Sequence, residues 1–130
     1  MAMALQDIRN QLSDPSLLKE QCLIGGAWCD ADGGDTLEVS DPATGEVLGT
    51  VPKMGAEETA RAIAAAEKAL PAWRARTAKN RSGLLRRWFE LINEHADDLA
   101  YIMTREQGKP LAEARGEIAY ANSFIEWFAE

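Results

Sequence analysis

The chain has 130 residues, 46% of them hydrophobic, and a formal net charge of −7 from 21 acidic and 14 basic residues. This length and composition fit one globular domain with a core, and they exclude a disordered chain. The acidic balance argues against nucleic acid and anionic membranes as partners, and no apolar run approaches the roughly 20 residues of a membrane span.

Residues 1–19 predict a short helical arm. Leu5, Ile8 and Leu12 have the spacing of one helix face, and the helix should end near Asp14 and Pro15. The same residues lack the basic region and long apolar run of a secretory signal. We therefore expect a cytoplasmic protein.

Residues 20–52 predict two β-hairpins. The first turns at Gly25-Gly26, a pair that favours a two-residue turn. The second joins residues 36–40 to residues 46–51 through Asp41-Pro-Ala-Thr-Gly45, where Gly45 can adopt the positive φ needed to re-enter a strand.

The two cysteines, Cys22 and Cys29, do not have the spacing of a metal site or a redox motif. A two-residue turn at Gly25-Gly26 would place them opposite each other on paired strands. A disulfide is then conceivable in an oxidising compartment. Without a secretory signal, we expect two reduced thiols that pack as small apolar side chains.

Residues 55–130 predict helices. The first carries an apolar face made of Ala60, Ile63, Ala66, Leu70 and Trp73. Pro71 lies late in this pattern and is expected to break or kink the helix.

The next helix should begin after Thr77, which suits an N-cap. Its apolar face continues to Gln107, with a break near residues 95–97, since Asp97 and Asp98 suit a new first turn. Gly108 fits the position just after a helix end, and Pro110 prevents continuation.

The last helix carries two apolar stripes. The expected core face comprises Leu111, Ala114, Ile118, Ala121, Ile125 and Phe128. A second stripe beside it comprises Tyr120, Phe124 and Trp127. No Gly, Asn or Pro closes this helix, and no basic residue lies in its last turn. We therefore expect the chain to be a truncated piece of a larger protein.

Little in the chain predicts chemistry. The single histidine, His95, lies at a helix junction, and no glycine-rich phosphate loop or metal-ligand cluster is present in the sequence. The basic cluster in residues 74–87 is either an anion site or a solvated helix surface, and we favour the latter. We assign no catalytic, cofactor-binding or metal-binding residue.

One segment resists a purely structural interpretation. Residues 105–117 contain Glu106-Gln-Gly-Lys-Pro110, which resembles the Glu-x-Gly-Lys-Pro signature of the NAD(P)-dependent aldehyde dehydrogenases. Other segments resemble the same family in the same order: Leu23-Ile-Gly-Gly-Ala-Trp28, Asp41-Pro-Ala-Thr-Gly-Glu46 and Ala69-Leu-Pro-Ala-Trp-Arg74. The segments at residues 51–55, 116–120 and 123–130 are most similar to the bacterial succinate-semialdehyde dehydrogenase branch.

The resemblance implies an α/β fold that is incomplete: the N-terminal helix, two hairpins and about four helices that flank a dinucleotide-binding domain. It covers about the first quarter of a family member. Family members oxidise a small aldehyde through a cysteine thioester and use NADP or NAD as cofactor. The nucleophile, the base and the dinucleotide site lie outside this segment of the family, so we expect this fragment to be inactive and to bind no cofactor.

The resemblance also implies that the last helix borders the substrate tunnel, with Glu117, Tyr120 and Phe124 on the side that faces it. A complete enzyme is expected to be a homo-oligomer. Two other interpretations stay open: a non-catalytic helical interaction module, and a truncated product without a function of its own.

Overall fold

The computed structural model describes residues 2–130, with side chains from residue 5 onward. The elements are, in order, α1 (Ala2–Gln11), a 3-10 turn (Pro15–Leu17), β1 (Cys22–Ile24), β2 (Ala27–Cys29), β3 (Thr36–Ser40), β4 (Val47–Pro52), α2 (Ala56–Ala75), α3 (Ala78–Glu94), α4 (Ala96–Gln107) and α5 (Leu111–Ala129). The predicted order of one helix, two hairpins and four helices is confirmed. The predicted boundaries lie within a few residues of the observed ones, except for the break expected at Pro71.

The strands form two separate antiparallel pairs within the described residues, β1 with β2 and β3 with β4. In the first hairpin Gly25 and Gly26 both have positive φ, as a two-residue turn requires. In the second hairpin the backbone re-enters the strand at Gly45, with φ +74°. Both predicted turns are therefore confirmed.

The arm α1 packs on β4 and α4. Ile8 and Leu12 are buried against Leu18 and Leu48, as their spacing predicts. Asp98 fixes the chain just after α1. Its carboxylate accepts hydrogen bonds from the backbone N–H groups of Ser13 and Asp14 at 2.9 and 2.8 Å. A residue expected only to favour a first helical turn thus also anchors the arm.

Helix α2 differs from expectation in two respects. It runs without a break through Pro71, because the missing N–H removes a single hydrogen bond one turn before the helix ends. Its predicted apolar face is largely exposed, as Ile63, Leu70 and Trp73 show. Ala65 lies beside the turn of the first hairpin, where a Cβ built on Gly25 would be 3.6 Å from Ala65 Cβ.

Helices α3, α4 and α5 pack together, with α5 against both of the others. Thr77 accepts the backbone N–H of Asn80 and caps α3, and His95 lies between α3 and α4. Gly108 ends α4 with φ +78°. These three predicted boundaries are confirmed.

The buried face of α5 is rotated from the predicted one. Ala121 and Phe128 are exposed, whereas Asn122 and Ala129 are buried. Asn122 is 1% exposed, and its amide donates to Phe89 O and Asn93 Oδ1, both at 3.0 Å. The polar side chain faces α3 because that helix supplies acceptors for it.

Candidate functional site

Glu117, Tyr120 and Phe124 lie within two turns of α5 on its exposed side. Tyr120 is 64% exposed and Phe124 49%. Their rings meet edge to face with centroids 5.0 Å apart, a favourable arrangement for an aromatic pair. The structure thus places the three predicted tunnel-lining residues together on one accessible face.

This face continues toward the end of α5. Trp127 and Phe128 are 76% and 73% exposed. We call Tyr120, Phe124, Trp127 and Phe128 the aromatic face. Large exposed apolar patches are typical of surfaces that contact a ligand or further protein.

Glu117 joins the aromatic face to the Glu-Gln-Gly-Lys-Pro segment. Lys109 Nζ donates to Glu117 Oε1 at 2.6 Å, across the turn between α4 and α5. This hydrogen bond raises the pKa of Lys109. The ammonium group therefore stays charged and fixes the carboxylate at the start of the face.

The same segment contacts the turn of the second hairpin. Arg105 Nε donates to Asp41 Oδ2 at 3.2 Å, and Arg105 Nη1 lies 3.3 Å from the hydroxyl of Tyr101. The backbone N–H of Ala43 donates a hydrogen bond to the Asp41 carboxylate, and this is the main reason that the pKa of Asp41 lies below its usual range. The hydrogen bond from Arg105 lowers the same pKa to a smaller extent. Two segments singled out separately in the sequence are thus neighbours. Nothing in their spacing predicts the contact, because 64 residues separate Asp41 from Arg105.

Two arginines of the basic cluster form ion pairs with neighbouring helical residues. Arg86 pairs with Glu126 and Glu130, both at 3.0 Å, and so ties α3 to the end of α5. Arg87 lies 3.5 Å from Glu90. These pairs favour a solvated helix surface over an anion site.

Within residues 2–130, no group of three or more His, Cys, Asp or Glu side chains could hold a metal ion. No helix in the same range is long and apolar enough to cross a membrane. The described strands pair only in antiparallel fashion.

Taken together, the arm, the two hairpins and the four helices define an α/β architecture that matches the N-terminal part of the aldehyde dehydrogenase fold. A crystal structure of an NADP-dependent enzyme from Escherichia coli matches it with a TM-score of 0.90 and 62% identity, over 92% of this chain and 25% of that one. The aldehyde dehydrogenase family matches residues 28–130. The chain belongs to this family.

Two relatives are similar in sequence over 120 residues, which is 92% of this chain. Glutarate-semialdehyde dehydrogenase of Pseudomonas putida is 70% identical, and the NADP(+)-dependent succinate-semialdehyde dehydrogenase of Escherichia coli is 62% identical. In both cases the match covers 25% of the relative. The chain therefore spans about a quarter of the length of these enzymes.

Proposed function

We propose that this chain is the N-terminal portion of the dinucleotide-binding domain of an NAD(P)-dependent semialdehyde dehydrogenase. Residues 1–19 form its arm, residues 20–52 its hairpins and residues 55–130 its helices. The observation that carries the proposal is the 62–70% identity to two semialdehyde dehydrogenases over 92% of the chain. The complete enzyme is proposed to be cytoplasmic and homo-oligomeric.

The proposed substrate is a short aldehyde with a distal carboxylate. The two relatives are named for succinate and glutarate semialdehydes, which share this group and differ by one methylene. One methylene is worth only about 1–3 kcal/mol of discrimination in a pocket. We propose succinate semialdehyde, oxidised to succinate through a cysteine thioester, with glutarate semialdehyde as the competing substrate.

The proposed role of this portion is to support the substrate passage. Tyr120 and Phe124 offer an apolar wall beside the charged pair of Lys109 and Glu117. Such a wall suits the methylene chain of a semialdehyde, whose carboxylate would be bound elsewhere. The rest of the aromatic face would pack on other parts of the complete enzyme.

The test is a comparison of kcat/KM for the complete enzyme with succinate semialdehyde, glutarate semialdehyde and an uncharged aldehyde of equal length. We expect both semialdehydes to be preferred over the uncharged aldehyde, and succinate semialdehyde to be the better of the two. Equal efficiency on the uncharged aldehyde would refute the proposed substrate class and leave the family membership intact.

The isolated 130-residue chain should bind neither NADP nor NAD, because the family resemblance implies that the nucleophile, the base and the dinucleotide site lie outside this segment. Calorimetric titration measures this directly. A dissociation constant near 1 μM, about −8 kcal/mol, would show that the chain carries a cofactor site.

The exposed aromatic face favours a second candidate, a non-catalytic interaction module. In that case the chain should bind a partner or a second copy through Trp127 and Phe128. Sedimentation at several concentrations, with and without Trp127→Glu, distinguishes a module from an inactive portion of the enzyme.

A further inference from the structure

Cys22 and Cys29 face each other across the first hairpin. They are Cα partners in the register of β1 and β2. Directly paired residues of an antiparallel hairpin lie about 4.5–5.5 Å apart at Cα and point to the same face. This separation falls within the range of about 4.4–6.8 Å over which a disulfide closes without moving the backbone.

The turn fixes this register. Gly25 and Gly26, with φ +60° and +87°, form the two-residue connection that places the next pairs opposite each other. Leu23 and Trp28 form the intervening pair and point to the other face, where both are exposed. If the register of the strands shifted by one residue, a cysteine would point to that other face. The register set by the turn therefore keeps the two thiols on the same face.

Both side chains are half-buried and both thiols are free. The thiolate is the form that attacks a disulfide.

We propose that Cys22 and Cys29 are a redox-modification site that closes to a cross-strand disulfide by reaction with a small-molecule disulfide such as oxidised glutathione. One protein thiolate attacks a glutathione sulfur, and the S–S bond breaks to release one glutathione. The second thiolate then attacks the protein sulfur of the mixed disulfide and releases the other glutathione. Two protein thiols are oxidised, one disulfide is reduced, and the two released thiolates take up the two thiol protons.

Closure would covalently join the strands of a short hairpin. β1 and β2 have three residues each, and an isolated two-stranded hairpin is marginally stable. Its turn touches α2, since a Cβ built on Gly25 would lie 3.6 Å from Ala65 Cβ. The disulfide should therefore slow amide exchange within residues 22–29 and leave exchange in α3 unchanged.

The sequence permits a clean test in the complete protein. No Lys or Arg lies between Lys19 and Lys53, so tryptic peptide 20–53 contains both cysteines and no others. The protein is equilibrated with oxidised glutathione, alkylated with iodoacetamide, digested and analysed by mass spectrometry. The expected product is an unalkylated peptide that is two hydrogen atoms lighter than the reduced one and gains two alkyl groups after reduction.

A matched control moves one thiol to the other face of the hairpin. The double variant Cys29→Ser, Asp30→Cys keeps two thiols at nearly the same sequence separation but points their Cβ atoms apart. We expect its internal disulfide to form at least about tenfold more slowly, since the pair is no longer oriented for attack. Equal closure rates in this variant would overturn the proposal. So would persistent double alkylation, or a mixed disulfide with glutathione as the main product, in the unmodified protein.

Discussion

Gly108 and Pro42 touch so closely that a side chain does not fit between them. A Cβ built on Gly108 would lie 2.7 Å from Pro42 Cγ, a separation that real Cβ atoms do not show. Gly108 also has φ +78°, which other residues rarely adopt. The Glu-Gln-Gly-Lys-Pro segment is thus fitted against the second hairpin by a contact between backbone and ring.

Gly108→Ala should therefore destabilise the chain by about 1–3 kcal/mol. Gly116→Ala is the matched control, because Gly116 lies inside α5 with open space around its Cα. That change should stabilise the helix by about 0.5–1 kcal/mol. Urea denaturation of both variants measures the difference, and a neutral Gly108→Ala would contradict the close contact.

Asp98→Ala should detach the arm α1. The change leaves the N–H groups of Ser13 and Asp14 without their acceptor, at a cost of about 1–3 kcal/mol. The neighbouring Asp97 pairs with Arg115 at the surface, so Asp97→Ala should change stability by less than about 0.5 kcal/mol. Amide exchange in α1 should rise in the first variant only.

Asn122→Ala should weaken the contact between α5 and α3 by about 1–3 kcal/mol, since it removes a donor from Phe89 O and from Asn93. Ser123→Ala is the control, because Ser123 is exposed and bonds only within its own helix. Equal thermal stability of the two variants would show that the buried amide of Asn122 does not stabilise the fold.

Stability should fall at acid pH partly through Glu58. Backbone N–H groups, first its own and then those of Asp32 and Gly55, lower the pKa of this carboxyl. Because the pKa of Glu58 is lower in the folded state, its carboxylate stabilises the fold at pH values above the ordinary glutamate pKa of about 4.3. This stabilisation is lost as the pH falls through the lower pKa of the folded state. Glu58→Gln should flatten the dependence of unfolding free energy on pH in that window.

Tyr120→Ala in the complete enzyme should lower kcat/KM for the semialdehyde by roughly tenfold if the aromatic face lines the substrate passage. Trp88→Ala is the control, because Trp88 is an exposed aromatic on α3. Unchanged kinetics in Tyr120→Ala would assign the residue to packing alone.

Local signals in the sequence predicted most of the fold. Thr77, His95 and Gly108 mark helix boundaries through chemistry that acts within a few residues, so one sequence suffices to find them. Asn122 was missed as a core residue because a polar side chain interrupts an apolar pattern. Only the acceptors on α3 make its burial favourable, and no local rule reveals them.

The sequence correctly predicted that Glu117, Tyr120 and Phe124 lie together, because helical periodicity puts them on one face of α5. The pairing of Asp41 with Arg105 was not predicted, because it depends on how a hairpin and a helix end meet. The exposed face of α2 was also missed. Its alanine-rich pattern indicates a packed helix but does not identify what packs on it.

The hold of Asp98 on Ser13 has a consequence for biosynthesis. The arm is synthesised before its anchor, since Asp98 follows Ser13 by 85 residues. At about 5–20 residues per second, the ribosome needs roughly 4–17 s to add that anchor. During this interval the apolar side of α1 has no α4 to dock on and is available to chaperones. Nascent chains arrested before Asp98 should therefore expose the arm to protease, and chains arrested well beyond it should protect the arm.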